Sequence, residues 1–160
     1  MARALIVGCG CRGRELGARL RARNWLVRGT SRSPEGVAAV EAAGFEAAAA
    51  DPERPGSVLE LCGDVAVVVW LLGWARGRPE EIAAIHGPRL ERLLEKLIDS
   101  PVRGFAYEAA GRVDQSHLRA GRKIVERAAD AWRLPVVALE ADRDADSWAE
   151  RTAGAVAGLL

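Results

Sequence analysis

Hydrophobic positions along this chain alternate between two patterns. Short apolar runs at Ala4–Val7, Leu26–Thr30, Glu46–Ala50, Val65–Leu72, Val102–Tyr107 and Val136–Leu139 are bounded by turn residues, as expected of buried strands. Helical periodicity fills the intervals. Ser33-Pro34-Glu35 opens one helix and Gly44 closes it. Glu80–Ile98 is a long amphipathic stretch, with Leu90, Leu93, Leu94 and Leu97 inward and a restart at Gly87-Pro88. Gln115–Trp132 places Gly121, Ile124, Val125, Ala128 and Trp132 on one stripe, and Ser147-x-x-Glu150 reads as a capping box. Strand and helix alternate to the end of the chain without repeats or a low-complexity linker. This predicts an α/β domain over residues 1–160, with one doubly wound six-stranded parallel sheet in the order 3-2-1-4-5-6. No residues are left for a second domain.

The most specific segment is Ala4–Leu20, ALIVGCGCRGRELGARL. A buried-strand run stops at Gly8, a G-x-G-x-x-G follows, and Gly13, Leu16, Gly17 and Leu20 line one face of the next helix. Gly8 permits the tight turn, Gly10 lets backbone approach a diphosphate, and Gly13 lets the helix pack closely on the sheet. The helix N-terminus then offers unpaired N–H groups to the anion. With 17 glycines in 160 residues the motif alone is weak, and a ligand-free glycine turn is the competing reading. The flanking strand and helix favour a dinucleotide-binding (Rossmann) domain.

Composition removes several classes of function. A net charge of +1 provides no global field for nucleic acid or an anionic membrane. No apolar stretch approaches the ~18–20 residues of a membrane span, and the first strand starts too early to leave room for a signal peptide. A cytoplasmic setting is the expectation. Three cysteines, Cys9, Cys11 and Cys62, give neither a disulfide framework nor zinc spacing. Cys9 and Cys11 read as small space-fillers beside the cofactor. Two histidines without clustered acids argue against a metal site.

The second strand carries the information about nucleotide type. An acid at its end would take a ribose 2′-hydroxyl and repel a 2′-phosphate. Here it ends Gly29-Thr30-Ser31-Arg32-Ser33, with no carboxylate before Glu35. Arg32 flanked by hydroxyls favours NADP over NAD, although a solvated surface arginine is the plain alternative. Arg12 and Cys11 lie within the glycine loop, and Leu72 ends the fourth strand beside it. Asp51 follows the third strand, where it would either accept from the adenine amino group or cap the turn into Pro52.

Taken together, LIVGCGCRGRELGARL, GTSRSPE, Asp51, AVVVWLLG and VRGFAYEAAG, ahead of a helix bearing Lys123, resemble the short-chain dehydrogenase/reductase superfamily. The likeness is to its extended or atypical NAD(P)-dependent, epimerase-like branch. It implies a Rossmann fold, a nicotinamide cofactor and oxidoreductase ancestry. It also implies a Ser after strand five and a Tyr one helical turn before a Lys. Here the Ser position falls in Glu108-Ala109-Ala110, and Arg119 stands four residues before Lys123. An alanine cannot polarise a carbonyl, and arginine cannot cycle as acid and base. Arg119 and Lys123 also lie opposite their helix's apolar stripe. The C-terminal substrate-binding extension of the superfamily has no counterpart in the sequence. Binding is supported, and the usual hydride-transfer set is not.

Replacement chemistry would come from Tyr107 as a proton donor and Glu108 as a base, with Trp74 as a pocket wall. Each has an ordinary structural reading as core residue, surface carboxylate and loop packing. The leading expectation is an NADP(H)-binding protein of reductase stock, either an atypical reductase with a small-molecule substrate or a cofactor binder without catalysis. A nucleotide-sensing or scaffolding module is the second class, with homodimerisation through helices 80–98 and 115–132. An S-adenosylmethionine-dependent methyltransferase is the third, disfavoured because Thr30–Ser33 supply no acid for the ribose and no residues remain for a seventh, antiparallel strand.

Overall fold

The apolar runs form one sheet in the computed structural model, which describes residues 1–160. Its strands are β1 (Arg3–Val7), β2 (Leu26–Ser31), β3 (Glu46–Ala49), β4 (Val67–Trp70), β5 (Gly104–Glu108) and β6 (Val136–Leu139). All neighbours are parallel and the order is β3-β2-β1-β4-β5-β6, as the alternating pattern predicts. Between and after the strands lie α1 (Cys11–Ala22), α2 (Pro34–Ala42), α3 (Pro55–Leu59), α4 (Pro79–Ile85), α5 (Pro88–Leu97), α6 (Gln115–Trp132) and α7 (Trp148–Ala157). No helix is long and apolar enough to cross a membrane.

Side chains alternate across the sheet and build a core on each face. Leu5, Val7, Val68, Trp70, Phe105 and Tyr107 meet Leu90, Leu93, Leu94 and Leu97 of α5 and Ile124, Val125 and Ala128 of α6. Ala4, Ile6, Val67, Val69 and Ala106 meet Leu16 and Leu20 of α1 and Trp148, Ala153 and Val156 of α7. At the N-terminal ends of the strands, Arg28 bridges Asp64 and Glu46, and Arg3 pairs with the same two acids. This charge cluster lies at the end of the sheet opposite the candidate site.

The stretch 80–98 is two helices that break at Gly87-Pro88, as the sequence predicts: Pro88 lacks an N–H, and Gly87 packs so tightly that an added Cβ would lie 2.7 Å from the Ala83 carbonyl oxygen. Local structure departs from the sequence pattern in three places. The short α3 lies in a segment without amphipathic signal. Ser147 is not the expected cap: it has φ +61°, and its hydroxyl donates to the Asp146 carbonyl. Trp132 is 38% exposed instead of completing the α6 stripe, since the helix ends there and Arg133 turns left-handed.

One polar contact crosses the first core. His86 Nε2 lies 2.9 Å from the Leu72 carbonyl, which can only accept, so this nitrogen carries the proton. Nδ1 therefore accepts from the Tyr107 hydroxyl at 2.7 Å. Burial pushes the His86 imidazole down to about 4, so it is neutral at pH 7. The unfolded chain takes up a proton near pH 6.5 that the folded chain refuses, so stability falls as pH drops from there towards 4. The expected loss by pH 4 is on the order of 3 kcal/mol, read from urea titrations across this interval, and His86→Gln should remove that component. Gly121→Ala sets a Cβ 2.0 Å from the Tyr107 hydroxyl oxygen and should cost about 1–3 kcal/mol in the same measurement.

Candidate functional site

In a parallel sheet every strand points its carboxyl end to the same edge, and ligands occupy the crevice where the strand order reverses. Here that point lies between β1 and β4, whose registers place Val7 opposite Trp70. A cleft of about 410 Å³ opens there, between the loops after β1, β2, β3 and β4 and against α4.

The glycine loop forms one wall. Gly8 has φ +86°, and an added Cβ would lie 2.6 Å from the Leu71 carbonyl oxygen, so only glycine fits. At Gly13 a Cβ would meet Cys9 Sγ at 3.2 Å, which brings α1 down onto the loop. A Cβ on Gly10 would meet nothing within 4 Å. Space is therefore open directly above the backbone that begins α1. Cys9 fills the gap between the loop and Gly29, and burial pushes its thiol up to about 11. It is a packing residue, unreactive at neutral pH.

The loop after β2 forms the second wall. Ser31 Oγ accepts from the Ser33 amide and Ser33 Oγ accepts from Gly36 N, so both hydroxyl protons remain free to donate. Gly36 is obligatory, because a Cβ there would fall 1.9 Å from Ser31 Oγ. Arg32 is exposed and reaches across the mouth to the Arg76 carbonyl, a long contact at 3.4 Å. Thr30 is buried, and its carbonyl accepts from Cys9 N, fastening β2 to the glycine loop.

Of the residues singled out in the sequence, Gly8, Gly10, Thr30, Ser31, Arg32 and Leu72 line the cleft, together with Trp74. Cys11 and Arg12 do not: Cys11 is exposed on α1, and Arg12 pairs with Glu15 and Asp144. Gly13 supports the wall from behind. Asp51 accepts from the Glu53 amide in a turn, and its neighbours Ala50, Pro52 and Glu53 face the cleft instead. The periodicity gave no sign of Arg14 and Arg143, which also line it.

The three candidate catalytic residues are not assembled. Tyr107 is sealed beneath α6 against Gly121, its proton given to His86, so it offers none to the cleft. Lys123 is exposed on α6 and is absent from the cleft wall. Glu108 is 1% exposed and fully engaged: Oε1 accepts from Gly73 N at 2.7 Å and Arg143 Nη2 at 2.8 Å, and Oε2 accepts from Arg143 Nε at 2.8 Å. A carboxylate held in this way does not act as a free base. Arg143 also donates to the Leu71 carbonyl at 3.3 Å and lies 5.6 Å from the Trp74 ring.

No protein-family model matches the sequence, and no curated protein matches it. Solved structures do match. They include the Citrobacter sp. triphenylmethane reductase complexed with NADP(H), 15% identical with a TM-score of 0.63 over 86% of this chain and 48% of that one. UDP-glucose 4-epimerase with UDP-glucose from Thermotoga maritima is 14% identical, with a TM-score of 0.70 over 85% of this chain and 54% of that one. A short-chain dehydrogenase from Streptomyces avermitilis is 18% identical, with a TM-score of 0.64 over 86% and 63%. The chain thus has the Rossmann fold of NAD(P)-dependent epimerase, reductase and short-chain dehydrogenase-like proteins, as the sequence resemblance implied. It spans between 48% and 63% of the length of these three.

Removing one partner of a buried ion pair leaves an uncompensated charge. Glu108→Ala should therefore lower stability by about 3 kcal/mol, whereas Glu108→Leu with Arg143→Met should recover most of it. Chemical denaturation of both variants measures this.

Proposed function

We propose that this protein binds a 2′-phosphorylated adenine dinucleotide of the NADP class and does not use the serine–tyrosine–lysine chemistry of the reductases it resembles. The observation that carries the reading is the glycine loop: backbone approach is permitted at Gly8, the space over Gly10 is open, and Gly10 and Arg14 at the start of α1 line the cleft. The residues suit the adenosine phosphates. Amides at the start of α1 and the Arg14 side chain would hold the diphosphate. Arg32 and the hydroxyls of Ser31 and Ser33 would hold the 2′-phosphate, with no acid in that loop before Glu35 to repel it. Ala50 and Pro52 offer an apolar shelf for adenine.

Such a cofactor supplies hydride chemistry when bound, but this chain contributes binding and charge rather than a proton relay. Tyr107 and Lys123 lie outside the cleft, and Glu108 is occupied by Arg143. The reading therefore favours a nucleotide-binding module, one that senses or holds its ligand. The triphenylmethane reductase structure with NADP(H) supports the ligand class. Sequestration of the α5 leucines inside the chain's own core leaves Ile98 and Trp132 as the large apolar side chains through which a dimer along α5 and α6 would form.

Calorimetric titration tests the ligand. NADP should bind about 10- to 100-fold more tightly than NAD, the effect of one charge-assisted contact, and Arg32→Ser should abolish the difference. Gly10→Val points side-chain atoms into open space, so the fold should survive while affinity for both nucleotides falls more than about tenfold. Equal binding by the wild type and both variants would overturn the reading.

A further inference from the structure

A doubly wound sheet offers two mononucleotide halves, one on each side of the strand reversal. The cleft just described is bounded by the loops after β1, β2 and β3 and, facing them, by the loop after β4 with α4. On the β4-β5-β6 side the loops are locked against one another. Val113 N donates to the Gly73 carbonyl at 3.0 Å. A Cβ on Gly73 would lie 2.1 Å from the Ala110 carbonyl oxygen, and one on Gly111 would lie 2.0 Å from the Gly73 carbonyl oxygen. The two backbones are in direct contact, with no room for a ring between them.

The Glu108–Arg143 pair closes what remains. Arg143 comes from the loop after β6, grips Glu108 at the end of β5, and touches the Leu71 carbonyl at the end of β4. It thereby spans all three strands. Trp74 lies over it, with the Arg112 guanidinium 5.0 Å from the indole centre. Apart from Arg143, no residue beyond Ile85 lines the cleft.

We propose that the protein seats only the adenosine 2′-phosphate diphosphate half of such a nucleotide, and that the Glu108–Arg143 pair with the crossed Gly73 and Gly111 loops shuts out the second mononucleotide half. Arg143 Nη1, the one nitrogen of that guanidinium without a protein partner, belongs to a side chain that lines the cleft. The natural ligand class is then an adenosine 5′-diphosphate that also carries a 2′-phosphate, and a full dinucleotide is held by that end with its nicotinamide in solvent. This inference rests on the nucleotide-binding reading above.

The test compares 2′-phosphoadenosine 5′-diphosphate, NADP, NADPH and nicotinamide mononucleotide by titration calorimetry, with saturation-transfer NMR on the bound NADPH. The expected result is three affinities within about threefold of one another, no binding of the mononucleotide, and transfer to adenine protons but not to nicotinamide protons. The double variant Glu108→Ser with Arg143→Ser should gain transfer to the nicotinamide protons. If NADP or NADPH binds wild-type protein more than about threefold more tightly than 2′-phosphoadenosine 5′-diphosphate, or if nicotinamide protons receive transfer comparable to adenine, half-occupancy is overturned and the dinucleotide reading stands. If none of the four binds, both readings fall. The wild-type measurements decide the matter even if the double variant does not fold.

Discussion

A carboxylate withdrawn from water at the end of a central strand must keep a cation beside it, because an unpaired buried charge costs several kcal/mol. Glu108 meets that requirement through Arg143, and the consequences spread through the upper edge of the sheet. Since the strands are parallel, the loops after β4, β5 and β6 emerge together, and this pair with its bond to Gly73 N ties all three. Chain segments far apart in sequence become one rigid cap. The glycine loop lies across the strand reversal, outside this cap, and remains accessible.

Glycine serves opposite ends on the two sides. At Gly8 and Gly10 the missing side chain creates a hollow next to backbone amides. At Gly73 and Gly111 it allows two loops to close on each other until nothing fits between them. The loop after β1 thus leaves open space beside backbone amides, while the loops after β4 and β5 are closed by packing. Tyr107 is likewise committed to packing: its hydroxyl is absorbed into a buried contact with His86 beneath α6.

Strand order, the two-sided core and the glycine wall were legible because they rest on local signals. A continuous apolar run marked the strand that holds Val67 to Trp70, and the spacing of Gly8, Gly10 and Gly13 marked the turn into α1. Thr30, Ser31 and Arg32 followed from the end of β2. Arg143 was not legible, because its importance arises from pairing with a residue 35 positions earlier, which no periodicity records. The orientation of Tyr107 was also hidden: in a strand buried on both faces, alternation no longer separates core from solvent. Ser147 matched a capping pattern, but the preceding turn placed it in a left-handed conformation where its hydroxyl faces backwards. Trp132 was assigned to the α6 stripe although the helix stops at that residue.

The position of β1 has a consequence for how the molecule is made. It is flanked by β2 on one side and β4 on the other, with Ala4 matched to Val67. β1 therefore leaves the ribosome ahead of a partner encoded about 60 residues later. Until then its second edge is unsatisfied and open to wrong neighbours. Acquisition of the native state is expected to be slow, governed by loop closure over long distances, and to benefit from chaperone shielding of Ala4–Val7 in the meantime.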